Sequence, residues 1–376
     1  MAGIYLHIPF CKQACHYCDF HFSTNLSAKT EVITAIANEL ELRKDELHGE
    51  QIHSIYFGGG TPSLLDEGEL SLLLNQINRH YRLGDQVEVT LEANPDDLTK
   101  QKLRELKAGG VNRLSVGIQT FDDARLKYIN RAHNSEEAID CLNYIQAAGF
   151  HNYSADLIYA LPPDEMDYWI SDLHLLISYN PTHISIYGLT IEDKTVFGNW
   201  EKKGRIKQIS EETAAKQYQM AVDYLVKHGY DHYEVSNFAK PGFESRHNAG
   251  YWDDQKYLGV GPGAHSYDGS KRSFNIANNA KYLTNLNQNQ LVTTIEELSL
   301  TNQMNEYIFT HLRTKKGALA SEFRLKFGRD LLVDKQKELR EFGSQKLLRV
   351  EKDRIALSSE GLMIADEITW RLFYED

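Results

Sequence analysis

The sequence predicts an α/β fold: a partial (β/α)6 barrel followed by a smaller, mainly helical, winged-helix-like C-terminal domain. Three observations carry that prediction. Short β-like runs alternate with longer helical patterns through the first half of the chain, unusual polar residues gather at or near the ends of those runs, and the pattern changes after about residue 240.

The first strand, Ile4 to Ile8, is a short apolar run, and a helical pattern from Ala28 to Leu47 follows it. The second and third units pair Ile52 to Phe57 with Glu67 to Tyr81, and Gln86 to Ala93 with Thr99 to Ala108. In the fourth, Arg113 to Ile118 precedes a helix from Ser135 to Ala148, whose Cys141 shares a face with Ala138 and Ile145 and reads as a small buried hydrophobe. Tyr153 to Ile158 with Glu165 to Ser178, and then His183 to Gly188, complete six strands. Strand then helix, repeated, argues a parallel sheet with crossover helices. The glycine-rich segment Leu258 to Ser266 lacks strand and helix at nucleotide-fold spacing, so it reads as packing turns beside the barrel mouth. The Asn-rich run Asn275 to Gln290 reads as a loop-bounded surface segment. From Thr294 onward, three helical patterns precede a short alternating pair, Leu347 to Glu351 and Arg354 to Leu357, and a final helix. The chain therefore divides into a barrel over 1–240, a connecting segment over 241–293 and a winged-helix-like domain over 294–376.

Bulk composition removes several functions. A net charge of −12 and a pI near 5.7 leave no global positive field for nucleic acid or anionic lipid. No apolar run approaches the ~18 residues of a spanning helix and no secretory leader pattern is present, so the chain reads as cytoplasmic with no membrane span.

The chemistry concentrates in Cys11, Cys15 and Cys18, a C-x3-C-x2-C triplet holding three of the chain's four cysteines within eight positions. A closed zinc site wants four ligands, with His7, His16 or His21 near enough to supply the fourth, and a disulfide framework wants an even count in a short secreted chain. An iron–sulfur cube with three thiolates and one open iron fits better, because ordinary clusters take four protein ligands and this one leaves a coordination position free. An open iron can chelate S-adenosyl-L-methionine and pass an electron to its sulfonium. After the second strand, Gly58, Gly59, Gly60 and Thr61 let backbone approach a ligand without Cβ hindrance. Glu92, Gln119, Arg131 and Asp156 follow at or near later strand ends, where parallel barrels assemble their sites.

The segment Tyr5-Leu-His-Ile-Pro-Phe-Cys11, with Cys15, Cys18, Gly58 to Pro62, Glu92-x-Asn-Pro95, Gly117-Ile-Gln119 and Asp156-Leu-Ile, resembles the oxygen-independent coproporphyrinogen III oxidase branch of the radical SAM superfamily. The resemblance covers essentially the whole chain. It implies that Cys11, Cys15 and Cys18 hold a [4Fe-4S] cluster, and that Tyr5, Tyr17, Gly59, Gly60, Thr61, Glu92, Gln119, Arg131 and Asp156 contact S-adenosyl-L-methionine. Two departures turn the reading away from the oxidases. They continue the triplet with a fourth cysteine where this chain has Phe20, and Arg246-His247-Asn248-Ala249-Gly250-Tyr251-Trp252 resembles the H-N-x-x-Y-W signature of the related haem chaperone family, HemW. A neutral imidazole is a good haem ligand, so His247 is the expected ligand, with Arg246, Tyr251 and Trp252 as cationic and flat apolar neighbours. The expected function is a haem chaperone delivering haem to apo-haemoproteins such as respiratory cytochromes; the alternative is oxidative decarboxylation of coproporphyrinogen. The resemblance also implies homodimer formation and peripheral docking at the inner membrane.

Overall fold

The computed structural model describes residues 1–375. Six strands run parallel in chain order: β1 (Ala2–Ile8), β2 (Ile52–Gly59), β3 (Leu83–Ala93), β4 (Arg113–Gln119), β5 (Tyr153–Tyr159) and β6 (His183–Gly188). Both faces of these strands are largely buried, but only one is continuously apolar: Ile4, Leu6, Ile8, Leu114, Val116 and Ile118 are completely buried on it, while Ser115, Ser154 and Ser185 occupy the other. The crossover helices are α1 (Lys29–Leu42), α2 (Glu67–His80), α3 (Lys100–Ala108), the short α4 (Asp123–Tyr128) with α5 (Ser135–Ala147), and α6 (Asp167–Ser178). Starts are chemically marked. Asp66 and Asn134 each accept from the backbone N–H three residues on, while Glu69 and Glu137 bond back to complete capping boxes.

The sheet then continues at both ends. After α7 (Val196–Lys202) and α8 (Glu211–Lys227), strands β7 (Asp231–Glu234) and β8 (Asn237–Ala239) add antiparallel beyond β6. Beyond α9 (Arg246–Trp252), β9 (Lys256–Val260) pairs parallel with β1, and β10 (His265–Tyr267), β11 (Lys271–Asn275) and β12 (Thr293–Glu297) extend it antiparallel. The result is one open twelve-stranded sheet with no closed barrel. Residues 256–297, read from sequence mostly as turns and connector, thus supply four of its strands. The Asn-rich run also holds a helix, α10 (Asn279–Leu286), which buries Tyr282 and Leu286 and starts on an Asn278 cap.

A second core forms in the C-terminal region from Met304, Ile308, Phe323, Leu339, Phe342, Ile355 and Ile368. Its elements are α11 (Leu300–Leu312), α12 (Ala320–Phe327), α13 (Leu331–Asp334), α14 (Gln336–Ser344), α15 (Ser359–Met363) and α16 (Ala365–Leu372), with a three-stranded sheet of β13 (Ala318–Leu319), β14 (Leu348–Glu351) and β15 (Arg354–Leu357) in the order β13-β15-β14. Backbone bonds from Val235 N to Arg313 O (2.9 Å) and from Lys315 N to Tyr233 O (2.9 Å) tie it to the main sheet. Among the described residues no helix is long and apolar enough to cross a membrane.

Candidate functional site

The cysteine loop leaves β1 and is fastened on two sides. Cys11 N donates to Ser23 O (3.1 Å) and Ser23 N to Pro9 O (2.9 Å), closing its base. On the far side, His16 N donates to Ile129 O (3.0 Å), Asn130 Nδ2 to Ala14 O (2.7 Å) and Gln13 Nε2 to Asn130 Oδ1 (2.9 Å). The glycine turn after β2 packs directly beneath. Gly60 N donates to Ile8 O (2.9 Å) and Thr61 N to Phe10 O (2.7 Å), and a Cβ on Gly60 would stand 2.6 Å from Phe10 O. Only a residue without a side chain permits that approach.

One cavity of about 460 Å³ receives this loop and turn, and its wall includes Cys11, Cys15, Tyr17, Cys18, Gly59, Gly60, Thr61, Glu92, Gln119, Arg131 and Asp156. The sequence-predicted set converges there with two exceptions, Tyr5 and His247. Tyr5 lies behind the wall, its hydroxyl hydrogen-bonded to His7 Nδ1 (3.1 Å) and its ring stacked on Tyr56 at 6.2 Å.

His247 differs more. On α9 it is 4 % exposed, Nδ1 is bonded to Ser54 Oγ (3.0 Å), Nε2 to the Tyr251 hydroxyl (2.9 Å), and the ring stacks on Tyr56 at 4.9 Å. Burial pushes its pKa down to about 3, so the ring is neutral. It is a neutral imidazole packed into the inner wall of the sheet, with both nitrogens engaged, rather than one presented to a ligand. Arg246 is also occupied: its Nη1 donates to Gln86 O.

Electrostatics around the thiols favour a cationic partner. Burial raises the Cys11 thiol and pushes Cys18 up to about 12, and the neighbouring cysteines add to both shifts. Arg131 answers part of this: Nη1 donates to Cys15 Sγ (3.4 Å), while Nη2 holds Asn94 Oδ1 (2.6 Å) and Gly117 O (2.8 Å). Among the described residues no three His, Cys, Asp or Glu side chains converge as a single metal ion requires. Thiols spread around a cavity wall suit a cubane, in which each thiolate takes a different iron. The donor set therefore fits the [4Fe-4S] group, and a one-ion zinc site is not assembled.

Deeper in the cavity the two carboxyls are held by neutral donors. Glu92 accepts from Tyr56 Oη (2.8 Å) and Gly59 N (3.3 Å), and burial raises its pKa to about 7. Asp156 accepts from Ser154 Oγ (2.9 Å) and Ser115 Oγ (3.2 Å), and burial raises its pKa as well. Sequence reading missed Tyr56, Arg113, Ser115, Ser185, Tyr187 and Asn248 on this wall. A signal existed: Ser115, Ser154 with Asp156, and Ser185 with Tyr187 sit at period two within otherwise apolar strands, the mark of a polar interior face.

Gly117 gives a test of side-chain placement. A Cβ there would stand 2.7 Å from Gln119 Nε2 and 3.1 Å from Arg131 Nη2. Because both are flexible tips, Gly117→Ala should cost under about 2 kcal/mol of stability, yet displace two groups expected to touch the adenosyl ligand. We expect adenosylmethionine binding to weaken about tenfold, roughly 1.4 kcal/mol, by equilibrium dialysis, with the melting temperature nearly unchanged. Unaltered binding would separate Gln119 and Arg131 from that ligand.

Residues 5–176 match the family described as the Radical SAM superfamily, and residues 298–364 match the HemN C-terminal domain. A Lactococcus lactis protein described as "Heme chaperone HemW" is 37 % identical over 99 % of this chain and 97 % of its own length. The Bacillus subtilis protein of the same description is 34 % identical over 98 % of each, and one from Mycobacterium tuberculosis is 31 % identical over 97 % and 93 %. In structure, the chain is similar to Escherichia coli coproporphyrinogen III oxidase (HemN), a radical SAM enzyme, with a TM-score of 0.84 at 21 % identity, covering 99 % of this chain and 90 % of that one. That likeness is one of fold.

Proposed function

The chain belongs to the HemW family of haem chaperones within the radical SAM superfamily, and on that premise we propose that it binds haem and passes it to apo-haemoproteins such as respiratory cytochromes. The observation that carries the cofactor half of this reading is the convergence of Cys11, Cys15 and Cys18 with Glu92, Gln119, Arg131 and Asp156 on one cavity. Cys11, Cys15 and Cys18 hold the [4Fe-4S] cluster; Tyr17, Gly59, Gly60, Thr61, Glu92, Gln119, Arg131 and Asp156 face S-adenosyl-L-methionine, with Tyr5 supporting the wall from behind. When bound, the cluster supplies a single electron to the sulfonium. Arg131 balances thiolate charge and fixes the Gly117 backbone, and Glu92 offers an acceptor whose proton is easily exchanged near neutral pH.

Haem is cargo in this reading. For His247 to ligate its iron, Nε2 must exchange the Tyr251 hydroxyl for the metal, and α9 must shift to expose the ring. The exchange needs no deprotonation, since burial already keeps the ring neutral. Phe20, 66 % exposed on the cavity rim, offers an apolar surface to a macrocycle where the oxidases carry their fourth cysteine. Homodimer formation promoted by the cluster or cofactor and transient docking at a membrane belong to the same proposal.

Haemin titration tests it. Wild type should gain a Soret band that His247→Ala weakens at least tenfold, about 1.4 kcal/mol of binding. The same substitution removes a stacked, doubly bonded core ring and should cost about 2 kcal/mol of stability, so the variant's melting curve is recorded alongside. A folded variant with an unchanged Soret band would remove His247 from the haem site. Protoporphyrinogen formed from coproporphyrinogen under anaerobic reduction with adenosylmethionine would instead support the oxidase alternative.

A further inference from the structure

Four arginines are buried, and three of them carry ion pairs: Arg43 with Glu39 and Glu46, Arg125 with Asp122 and Glu165, and Arg313 with Asp366. Arg113 is the exception. Its side chain is 1 % exposed, its Nε has no hydrogen-bond partner, and no carboxylate among the described residues lies within ion-pair distance. The guanidinium lines the cavity instead. An unpaired buried cation is costly unless something anionic meets it.

The acids of the same cavity meet that need only at a distance: the Arg113 charge acts on Asp156, but no carboxylate makes an ion-pair contact with it. Asp156 is satisfied by Ser154 and Ser115, and Glu92 by Tyr56 and Gly59. Position separates Arg113 from the cluster end as well. It opens β4 whereas Gln119 closes it, and six residues at ~3.3 Å each set their backbones about 20 Å apart along the strand. Arg131, at the Gln119 end, already stands against Cys15. A ligand carboxylate chelated at the cluster therefore leaves Arg113 free for a different molecule.

Its surroundings indicate what kind. Thr90, the register partner of Arg113 on β3, is fully buried beside it and its hydroxyl has no partner either, though it is not part of the cavity wall. The wall beside them carries Ser115, Ser185, Asn248 and Tyr187, and Tyr187 is 43 % exposed although it points into the cavity, so its ring is an open flat surface there. A bidentate cation, the Asn248 amide and an accessible aromatic face suit an organic ligand that is flat and carries carboxylates.

We propose that Arg113 is the carboxylate anchor of a second subsite within this cavity, and that it takes a propionate of the carried porphyrin. The proposal rests on the haem-carrier reading.

The test uses the full chain with its cluster reconstituted, titrated with haemin and with haemin dimethyl ester, whose propionates are methylated. Arg113→Met should weaken haemin binding about tenfold by Soret titration, and Arg113→Lys should restore part of it. The ester should bind wild type as weakly as haemin binds the Met variant, and should be indifferent to the substitution. Adenosylmethionine affinity should stay unchanged, and the ligand-free Met variant should melt higher than wild type because an unpaired buried charge has gone. Equal binding of haemin and its ester by wild type overturns the anchor without any variant. So does a Met variant that loses adenosylmethionine but keeps haemin. A wild-type protein that takes up no haemin overturns the carrier reading itself, a result distinct from either of these.

Discussion

Alanine at any one of Cys11, Cys15 or Cys18 is expected to leave the anaerobically reconstituted protein without its cluster, with iron falling from about four per chain to below one. The loss should be complete because each nearby histidine is oriented by a hydrogen bond that holds its ring in place. The three nearby histidines are committed elsewhere: His7 Nε2 to His21 O (2.8 Å), His16 Nδ1 to Tyr128 O (3.0 Å) and His21 Nε2 to Asn279 Oδ1 (2.8 Å). Each thiol must also ionise to bind iron, and burial holds Cys11 and Cys18 in the protonated form. Cluster formation therefore releases protons and should become easier as pH rises. Iron and sulfide assays on the three variants check the assignment, together with electron paramagnetic resonance of the reduced wild type before and after adenosylmethionine. A variant retaining four irons, or a wild-type signal indifferent to that ligand, would refute it.

The second large effect is expected at Glu92. Burial lifts this carboxyl from 4.5 to about 7, the Tyr56 hydrogen bond opposes the rise, and the Asp156 charge adds to it. A carboxyl with a raised folded-state pKa leaves stability intact below the unfolded value of 4.5 and drains it as pH climbs through about 7. Above that the penalty is constant, on the order of 3 kcal/mol. Glu92→Gln keeps the shape and the Tyr56 contact but cannot ionise. In the cofactor-free protein it should be near neutral at pH 5 and stabilising by about 2 kcal/mol at pH 8, measured by urea unfolding. The same variant should bind adenosylmethionine more weakly, since an acceptor carboxylate is lost. Equal stability differences at both pH values would mean that the wild-type carboxyl is not perturbed by its burial.

Burial explains how much of this was legible beforehand. Each of the six parallel strands buries one apolar face, so Ile4 to Ile8 or Tyr153 to Ile158 stand out as β-like runs with boundaries correct to within about three residues. Strands β11 and β12 have the sequences KRSFN and TTIEE and expose most of their side chains, and β7, DHYE, is only half-buried apart from Glu234. Nothing local marks them; they exist because the next strand supplies hydrogen bonds. At the site, the cysteine triplet and glycine turn announce themselves because their spacing is their function. Arg113 reads as the unremarked first residue of an apolar strand, and its lack of a partner is a property of five other strands. His247 was recognisable as part of a motif, but its packing on Tyr56, Ser54 and Tyr251 depends on where α9 meets β2, which no window of sequence contains.

The far fastening of the cysteine loop has a consequence for the order of events during synthesis. Gln13 and Asn130 are separated by 117 residues, and Ala14 and Asn130 by 116. At ~5–20 residues per second, a ribosome needs on the order of ten seconds to make that interval. Throughout it the three thiols are tethered on one side only, with neither Arg131 nor the β4 terminus to shape them. Iron and sulfide supplied in that window would meet a floppy chelator, so productive assembly belongs after the fourth repeat of the sheet has docked.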